Sequence, residues 1–344
     1  MELTPRKKII LSEIVKAHIA LGEPVGSKLL CQITNLGLSS ATLRNEMSDL
    51  CEMGYLEQPH TSAGRVPTAL GYRLYVSELS DKKNPSAVVK ESIDRVIRKV
   101  SEDPEHITAL AGQALSDLTG FTSVSLTIPE ESAFVKRTDL LPMGRRAALL
   151  VLVTSDGIAC SRICRTGEIL TGDSIVKFDR LVAEEIVGKP LSIFTDAFLQ
   201  SVAAKTGEHG LALMPMLSVL FEMIGSVCKS KLELKGEANI YSYYNKESDA
   251  RKIVEFFSKR DAILSILSKA DDSVSVIFGD DCGIEALKPS SMVVAKFGGG
   301  ENRIGRIGVI GPTRMAYEDL IPSVGYFARR LGQVLKQSLH DLED

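Results

Sequence analysis

At 344 residues, with 44% hydrophobic and 25% charged side chains, the chain has the composition of a soluble globular protein with room for two or three hydrophobic cores. Its formal charge is only −3, and residues 1–80 hold eight Lys/Arg against eight Asp/Glu, so no net basic field announces nucleic acid. Counterion release depends on where a few cations are placed, so this balance does not exclude a DNA-binding module.

Six cysteines (31, 51, 160, 164, 228, 282) contain no Cys-x-x-Cys pair and the five histidines are scattered, which argues against a metal site. Cys160 and Cys164 read as small hydrophobes on one side of a strand in a reducing compartment. The apolar run Leu211 to Phe221 contains Pro215 and stops at Glu222, well short of the roughly 20 residues of a membrane span. Charged residues interrupt the apolar run after Arg6-Lys7-Lys8, unlike a signal peptide, so the expected location is the cytoplasm.

In chain order, residues 5 to 21 place Ile10, Ile14, Ala17 and Leu21 on one line, predicting a helix ended by Gly22-Glu23-Pro24. Ser27 is expected to cap a second helix through Thr34. Asn35-Leu36-Gly37 then turns into a third, capped by Ser39 or Ser40 and stopped at Gly54. Leu43, Met47 and Leu50 recur at i, i+4 and i+7, leaving Thr42, Arg44, Asn45 and Ser48 on other faces. Tyr55 to Pro59 runs extended, His60 to Gly64 turns, and Arg65-Val66-Pro67 returns, with both prolines suited to edge strands. Three helices followed by a hairpin predict a winged helix, the third helix reading DNA and the hairpin forming the wing. The combination Gly22, Gly26, Lys28 lacks the order and the preceding strand of a phosphate loop.

Beyond the hairpin, Thr68 can cap a helix bearing Tyr72, Tyr75, Val76 and Leu79, and the polar stretch Asp81 to Ser86 reads as a linker. Amphipathic helices follow around Val89–Val100 and Ile107–Leu118. Strand patterns run over Phe121–Ile128, Phe134–Leu141, Ala147–Thr154 and Ile158–Arg165. Ser174 to Leu234 reads as helical. Strand patterns resume at Asn239–Tyr244, Val274–Phe278, Met292–Phe297 and Ile304–Ile310. Periodicity alone therefore gives an α+β chain in which a helical block interrupts a sheet.

The block SSATLRNEMSDLCEMGYLEQPHTSAGRVPT with the following GYRLYV, and the later VIGPTRMAY, closely resemble the heat-inducible transcription repressor family HrcA. The resemblance runs, with thinner stretches, along nearly the whole chain. It implies a winged helix over 1–80, a discontinuous GAF-like α/β body over 81–140 and 235–344, and a dimerising domain inserted at 141–234. It further implies a homodimeric repressor that binds double-stranded DNA at an inverted-repeat operator of the CIRCE type upstream of class I chaperone genes, with the chaperonin promoting its activity.

The candidate DNA contacts are Ser39, Ser40, Thr42, Arg44, Asn45 and Ser48 on the third helix, with His60, Thr61, Ser62 and Arg65 at the wing tip. Asn can bond adenine through two edge atoms, and Arg can grip guanine or phosphate. Glu46 reads as a residue of helix structure. Arg6, Lys7 and Lys8 sit at a helix start that disfavours cations, leaving phosphate contact and a solvated run both open. Met214, Met216 and Met223 with Leu217, Leu220, Phe221 and Ile224 make a helix apolar around much of its circumference, suited to an interface or a core. Gly298-Gly299-Gly300 with Gly305, Gly308 and Gly311 read as a hairpin turn and a closely packed strand, so no cofactor is expected. No nucleophile, base and orienting group stand at telling spacings, so no catalytic residue is named. A GAF-like body sensing a small-molecule effector is the alternative to chaperonin control.

Overall fold

The computed structural model describes residues 3–60, 63–80, 84–100, 107–128, 132–207, 210–244, 247–270, 272–298 and 304–340. It is a mixed helix-and-sheet protein.

The first unit starts with α1 (Pro5–Leu21), where the Thr4 hydroxyl accepts the Lys7 N–H and Gly22, at φ 73°, closes the end. α2 (Ser27–Ile33) is capped by Gly26, not by Ser27. The Ser27 hydroxyl instead lies 3.1 Å from that of Ser40, tying α2 to α3 (Ser40–Glu52). As expected, the Ser39 hydroxyl accepts the Thr42 N–H, and Leu43, Met47 and Leu50 are buried. They pack with Ile10, Leu11, Ile14 and Val15 of α1 and Leu30 of α2. The hairpin strands β1 (Leu56–Glu57) and β2 (Val66–Pro67) pair antiparallel, and Val25 adds a third line by exchanging two backbone bonds with Arg65, at 2.9 and 2.8 Å. Gly64 is needed there, since a Cβ would stand 2.5 Å from the Val25 carbonyl carbon. Thr68 caps α4 (Ala69–Leu74), which continues as a π-helical turn, Tyr75–Leu79.

α5 (Ala87–Val100) and α6 (Ile107–Thr119) lead into β3 (Thr122–Ile128). The chain then leaves for a separate antiparallel sheet, β4 (Val135–Gly144), β5 (Ala147–Thr154) and β6 (Ala159–Arg165). One face of this sheet is covered by α7 (Gly172–Glu185), α8 (Asp196–Ala204) and α9 (Gly210–Val227). β7 (Lys231–Lys235) returns to pair with β3. After a 3-10 turn, Glu237–Ser242, come α10 (Glu247–Phe257), α11 (Arg260–Ser268), β8 (Val274–Phe278), β9 (Ser290–Gly298), β10 (Ile304–Pro312) and α12 (Tyr317–His340).

The larger sheet is antiparallel throughout, in the order β7-β3-β10-β9-β8. α5, α6 and α12 cover one face, and α10 and α11 the other. Alternation on β3 explains the layering: Val124 and Leu126 enter the α10/α11 core, while the Ser123 hydroxyl on the other face donates to the Gly112 carbonyl of α6. β10 needs its glycines for close packing, because a Cβ on Gly308 would lie 2.3 Å from the Val293 oxygen. Gly299 and Gly300 lie outside the described residues, as do Asp81, Lys82 and Lys83 of the expected linker.

Three readings are corrected. Asn239–Tyr244 lies mostly in the 3-10 turn, because Gly236 (φ 70°) turns the chain off β7, and β7 already occupies the sheet edge beside β3. The end of the stretch read as helix, 231–234, alternates Leu232 and Leu234 with charged residues and belongs to the strand Lys231–Lys235. The expected boundary at 140/141 falls inside β4, whose pairing with β5 runs from Val135 to Gly144.

The first unit is docked on the body. The Tyr72 and Tyr317 rings lie 6.2 Å apart, the Tyr75 hydroxyl donates to Glu318 Oε1 at 2.7 Å, and the Arg73 Nε donates to Asp281 Oδ2 at 3.1 Å. Tyr72 and Tyr75 are both buried, and they share one continuous core with α12.

Candidate nucleic-acid interface

Because Leu43, Met47 and Leu50 turn one face of α3 into the core, the helix must present its remaining faces to solvent. Arg44, Asn45 and Ser48 are exposed, and Thr42 is partly so. Neither Arg44 nor Asn45 has a hydrogen-bond or ion-pair partner among the described residues. Ser39 and Thr42 are joined at 2.9 Å between hydroxyls, and Ser40 is engaged with Ser27, so these three serve the helix start first.

At the hairpin, the turn is closed by Gln58 Nε2 donating to the Ala63 carbonyl and by the Ala63 N–H donating to His60. His60 is exposed; Thr61 and Ser62 lie outside the described residues. Arg65 is not at the tip. Its backbone is held against Val25 at the base of the wing, because Gly64 lets the two chains approach there, and its Nε is buried without a partner.

The neutral charge count of residues 1–80 resolves in space. Arg6 lies 3.7 Å from Glu46, and Lys7 is 2.7 Å from both Glu46 and Asp49. Lys8 pairs with Glu78, Lys16 with Glu13 and Glu318, and Arg73 with Asp281. Among the described residues, Lys28, Arg44 and Arg65 are the cations of this unit with no acidic partner. Arg44 is on α3 itself. Lys28 is on α2, whose first residue meets Ser40, and Arg65 is at the foot of the hairpin. Lys28 escaped the sequence reading because one lysine among neutral residues has no periodic signal; only the α2–α3 packing, through Ser27 and Ser40, puts the start of its helix against α3.

Two further features line a groove of about 840 Å3 between this unit and the body. The His18 Nδ1 lies 2.6 Å from the Tyr72 hydroxyl, and burial, followed by the nearby Arg314, lowers the His18 pKa. Burial raises that of Tyr72, so the pair is held as a neutral imidazole and a neutral phenol. Among the described residues no group of side chains could hold a metal ion, and no helix is long and apolar enough to cross a membrane.

The family model for the HrcA protein C terminal domain matches residues 105–321. The heat-inducible transcription repressor HrcA of Clostridium tetani is 32% identical over 340 residues, covering 98% of this chain and 97% of that protein. The chain belongs to the HrcA family. The HrcA of Acetivibrio thermocellus is 30% identical over 340 residues, 96% of each chain. A crystal structure of a hypothetical protein shares the fold at a TM-score of 0.70 and 24% identity, over 98% of this chain and 100% of that one. Within this HrcA-family chain the model match lies on the body and the inserted sheet; the helix-and-hairpin unit precedes it and is spanned by the full-length relatives.

Proposed function

We propose that the chain is a heat-inducible transcription repressor whose first unit, residues 3–80, is a winged helix. α3 lies in the major groove of an inverted-repeat operator of the CIRCE type. The observation that carries this reading is the sorting of charge: the unpaired cations Lys28, Arg44 and Arg65 gather at α3 and the hairpin, while the others are held by carboxylates. Arg44 and Asn45 read base edges, Lys28 and Arg65 hold phosphate, and His60, Thr61 and Ser62 contact the backbone from the wing. Ser39, Ser40, Thr42 and Ser48 complete the surface.

The repressor acts as a homodimer through the inserted unit, whose limits follow the sheet: it opens between β3 and β4 and closes before β7. The remainder of the body is the GAF-like domain. The apolar helix α9 is spent on its own unit, where Met216, Leu217, Leu220, Met223 and Ile224 are buried, so it does not supply the contact. The open face of the three-stranded sheet supports dimerisation better. Leu141, Leu149 and Ile163 form one row across it, with Leu141 52%, Met143 61% and Ile163 60% exposed. Family membership supports control by the chaperonin. A small-molecule effector is the second reading, favoured by the groove between winged helix and body and by Arg314, which lines it without a partner among the described residues.

Footprinting on promoters of chaperone genes from the same genome tests the function. Protection of an inverted repeat is expected; no protection at any of them would overturn the reading.

A further inference from the structure

The first turn of α1 breaks a local rule. Arg6, Lys7 and Lys8 stand at the positive end of the helix dipole with no acidic residue in that turn to offset them. A rule broken locally points to a tertiary or functional reason. The reason lies on α3, where the Lys7 ammonium donates to Glu46 Oε2 and Asp49 Oδ2, both at 2.7 Å. The hydrogen bonds it donates to Asp49, then to Glu46, raise the Lys7 pKa, so the charge is fixed at any physiological pH. Glu46 and Asp49 are a turn apart, and Asp49 follows Asn45 by four residues, so its carboxylate lies on the same exposed stripe. The Lys7 and Glu46 side chains are only 13% and 15% exposed, while that of Asp49 is 53% exposed. Lys8 is taken by Glu78, and Arg6 approaches Glu46 only to 3.7 Å with its own side chain 61% exposed.

We infer that Lys7 is a positioning residue for operator binding, acting by offsetting one of the two negative charges of Glu46 and Asp49 so that α3 can approach the phosphates. It does not itself touch DNA. The inference rests on α3 being the DNA-reading helix. Duplex DNA carries about one negative charge per 1.7 Å of axis, so two uncompensated carboxylates beside Asn45 would oppose docking. The opposition is screened over roughly 10 Å at 0.1 M salt.

The test uses the full chain and a duplex carrying the footprinted inverted repeat. Lys7→Met, the triple variant Lys7→Met/Glu46→Gln/Asp49→Asn, and Arg44→Ala are titrated in parallel at low and moderate salt, with thermal melts of each. Lys7→Met is expected to lose about tenfold in affinity at low salt and less as salt rises. The triple variant is expected to recover native affinity or exceed it, because the charges that needed Lys7 are gone. Failure of the triple variant to recover would mean that Lys7 meets phosphate directly, and would overturn the inference. So would native affinity in Lys7→Met while Arg44→Ala binds weakly. Native affinity in both Lys7→Met and Arg44→Ala would instead remove the assignment of α3 on which the inference stands.

Discussion

The proposed dimer, with each DNA-reading unit packed on its body as a winged helix, should discriminate sharply between operators of different half-site spacing. Inserting about five base pairs between the half-sites turns one through roughly half a helical turn, and inserting about ten restores its face but moves it about 34 Å away. To follow either displacement, a winged helix must leave its body. That breaks the bond from Tyr75 to Glu318 and the ion pair of Arg73 with Asp281, and exposes part of the Tyr72, Tyr75 and Tyr317 rings. At about 1.5–3 kcal/mol per fully buried large apolar side chain, and with each ring still partly covered by its own unit, one release costs about 3 kcal/mol. That is roughly a hundredfold in binding constant. The five-base-pair insertion requires at least one release. The ten-base-pair insertion requires two, because a six-residue tether over 81–86 spans only about 21 Å. Both lengthened operators should therefore bind at least a hundredfold more weakly in gel-shift titrations at fixed salt, down to the floor set by a single half-site. Arg73→Ala combined with Tyr75→Phe should narrow the gap by making release easier. Equal affinity for all three operators would show that the half-sites are read independently, and would refute the rigid-dimer reasoning.

Arg44→Ala and Asn45→Ala should each cost about 1–3 kcal/mol of operator binding with unchanged circular dichroism, since neither side chain supports the fold; less than a twofold change in both would dismiss them as base contacts. Ile163→Asp on the open face of the inserted sheet should give a monomer in sedimentation velocity, with weakened operator binding and a retained melting transition. A persistent dimer would move the interface elsewhere. Met216→Ala, inside the core of the same unit, should lose about 2–5 kcal/mol in denaturant unfolding because it removes a fully buried side chain and leaves a cavity that the core refills only in part. Because burial depresses the His18 pKa below its ordinary 6.5, the unfolded chain takes up this proton first as pH falls. The His18 contribution is therefore complete above about pH 6.5 and is lost as pH drops through the folded value. Melting temperature should fall on acidification over that window, and less so in His18→Gln.

The sequence by itself determined the local elements of the first 80 residues. α1 matches its predicted limits because a 3.6-residue apolar line and a terminal glycine agree, and the structure adds the Thr4 cap at its start. α3 follows from Leu43, Met47 and Leu50 together with the Ser39 cap, and that pattern also fixed which side chains remain on the surface. The strands over 122–128, 147–154 and 274–278 were legible because their apolar runs are bounded by turns. What the tertiary structure decided depends on contacts distant in sequence. β7 joins the sheet because Leu232 and Leu234 find β3 more than 100 residues earlier, a partnership that a five-residue alternation cannot announce. Arg65 belongs to the base of the wing only because Val25 lies against it. Above all, sequence counts eight positive and eight negative charges in the first unit and can only cancel them. Coulombic pairing acts over a few ångströms, so only the packing of α1 against α3 and of α4 against the body shows which cations are consumed, and leaves Lys28 and Arg44 exposed and Arg65 half-buried at the foot of the hairpin, each without an acidic partner among the described residues.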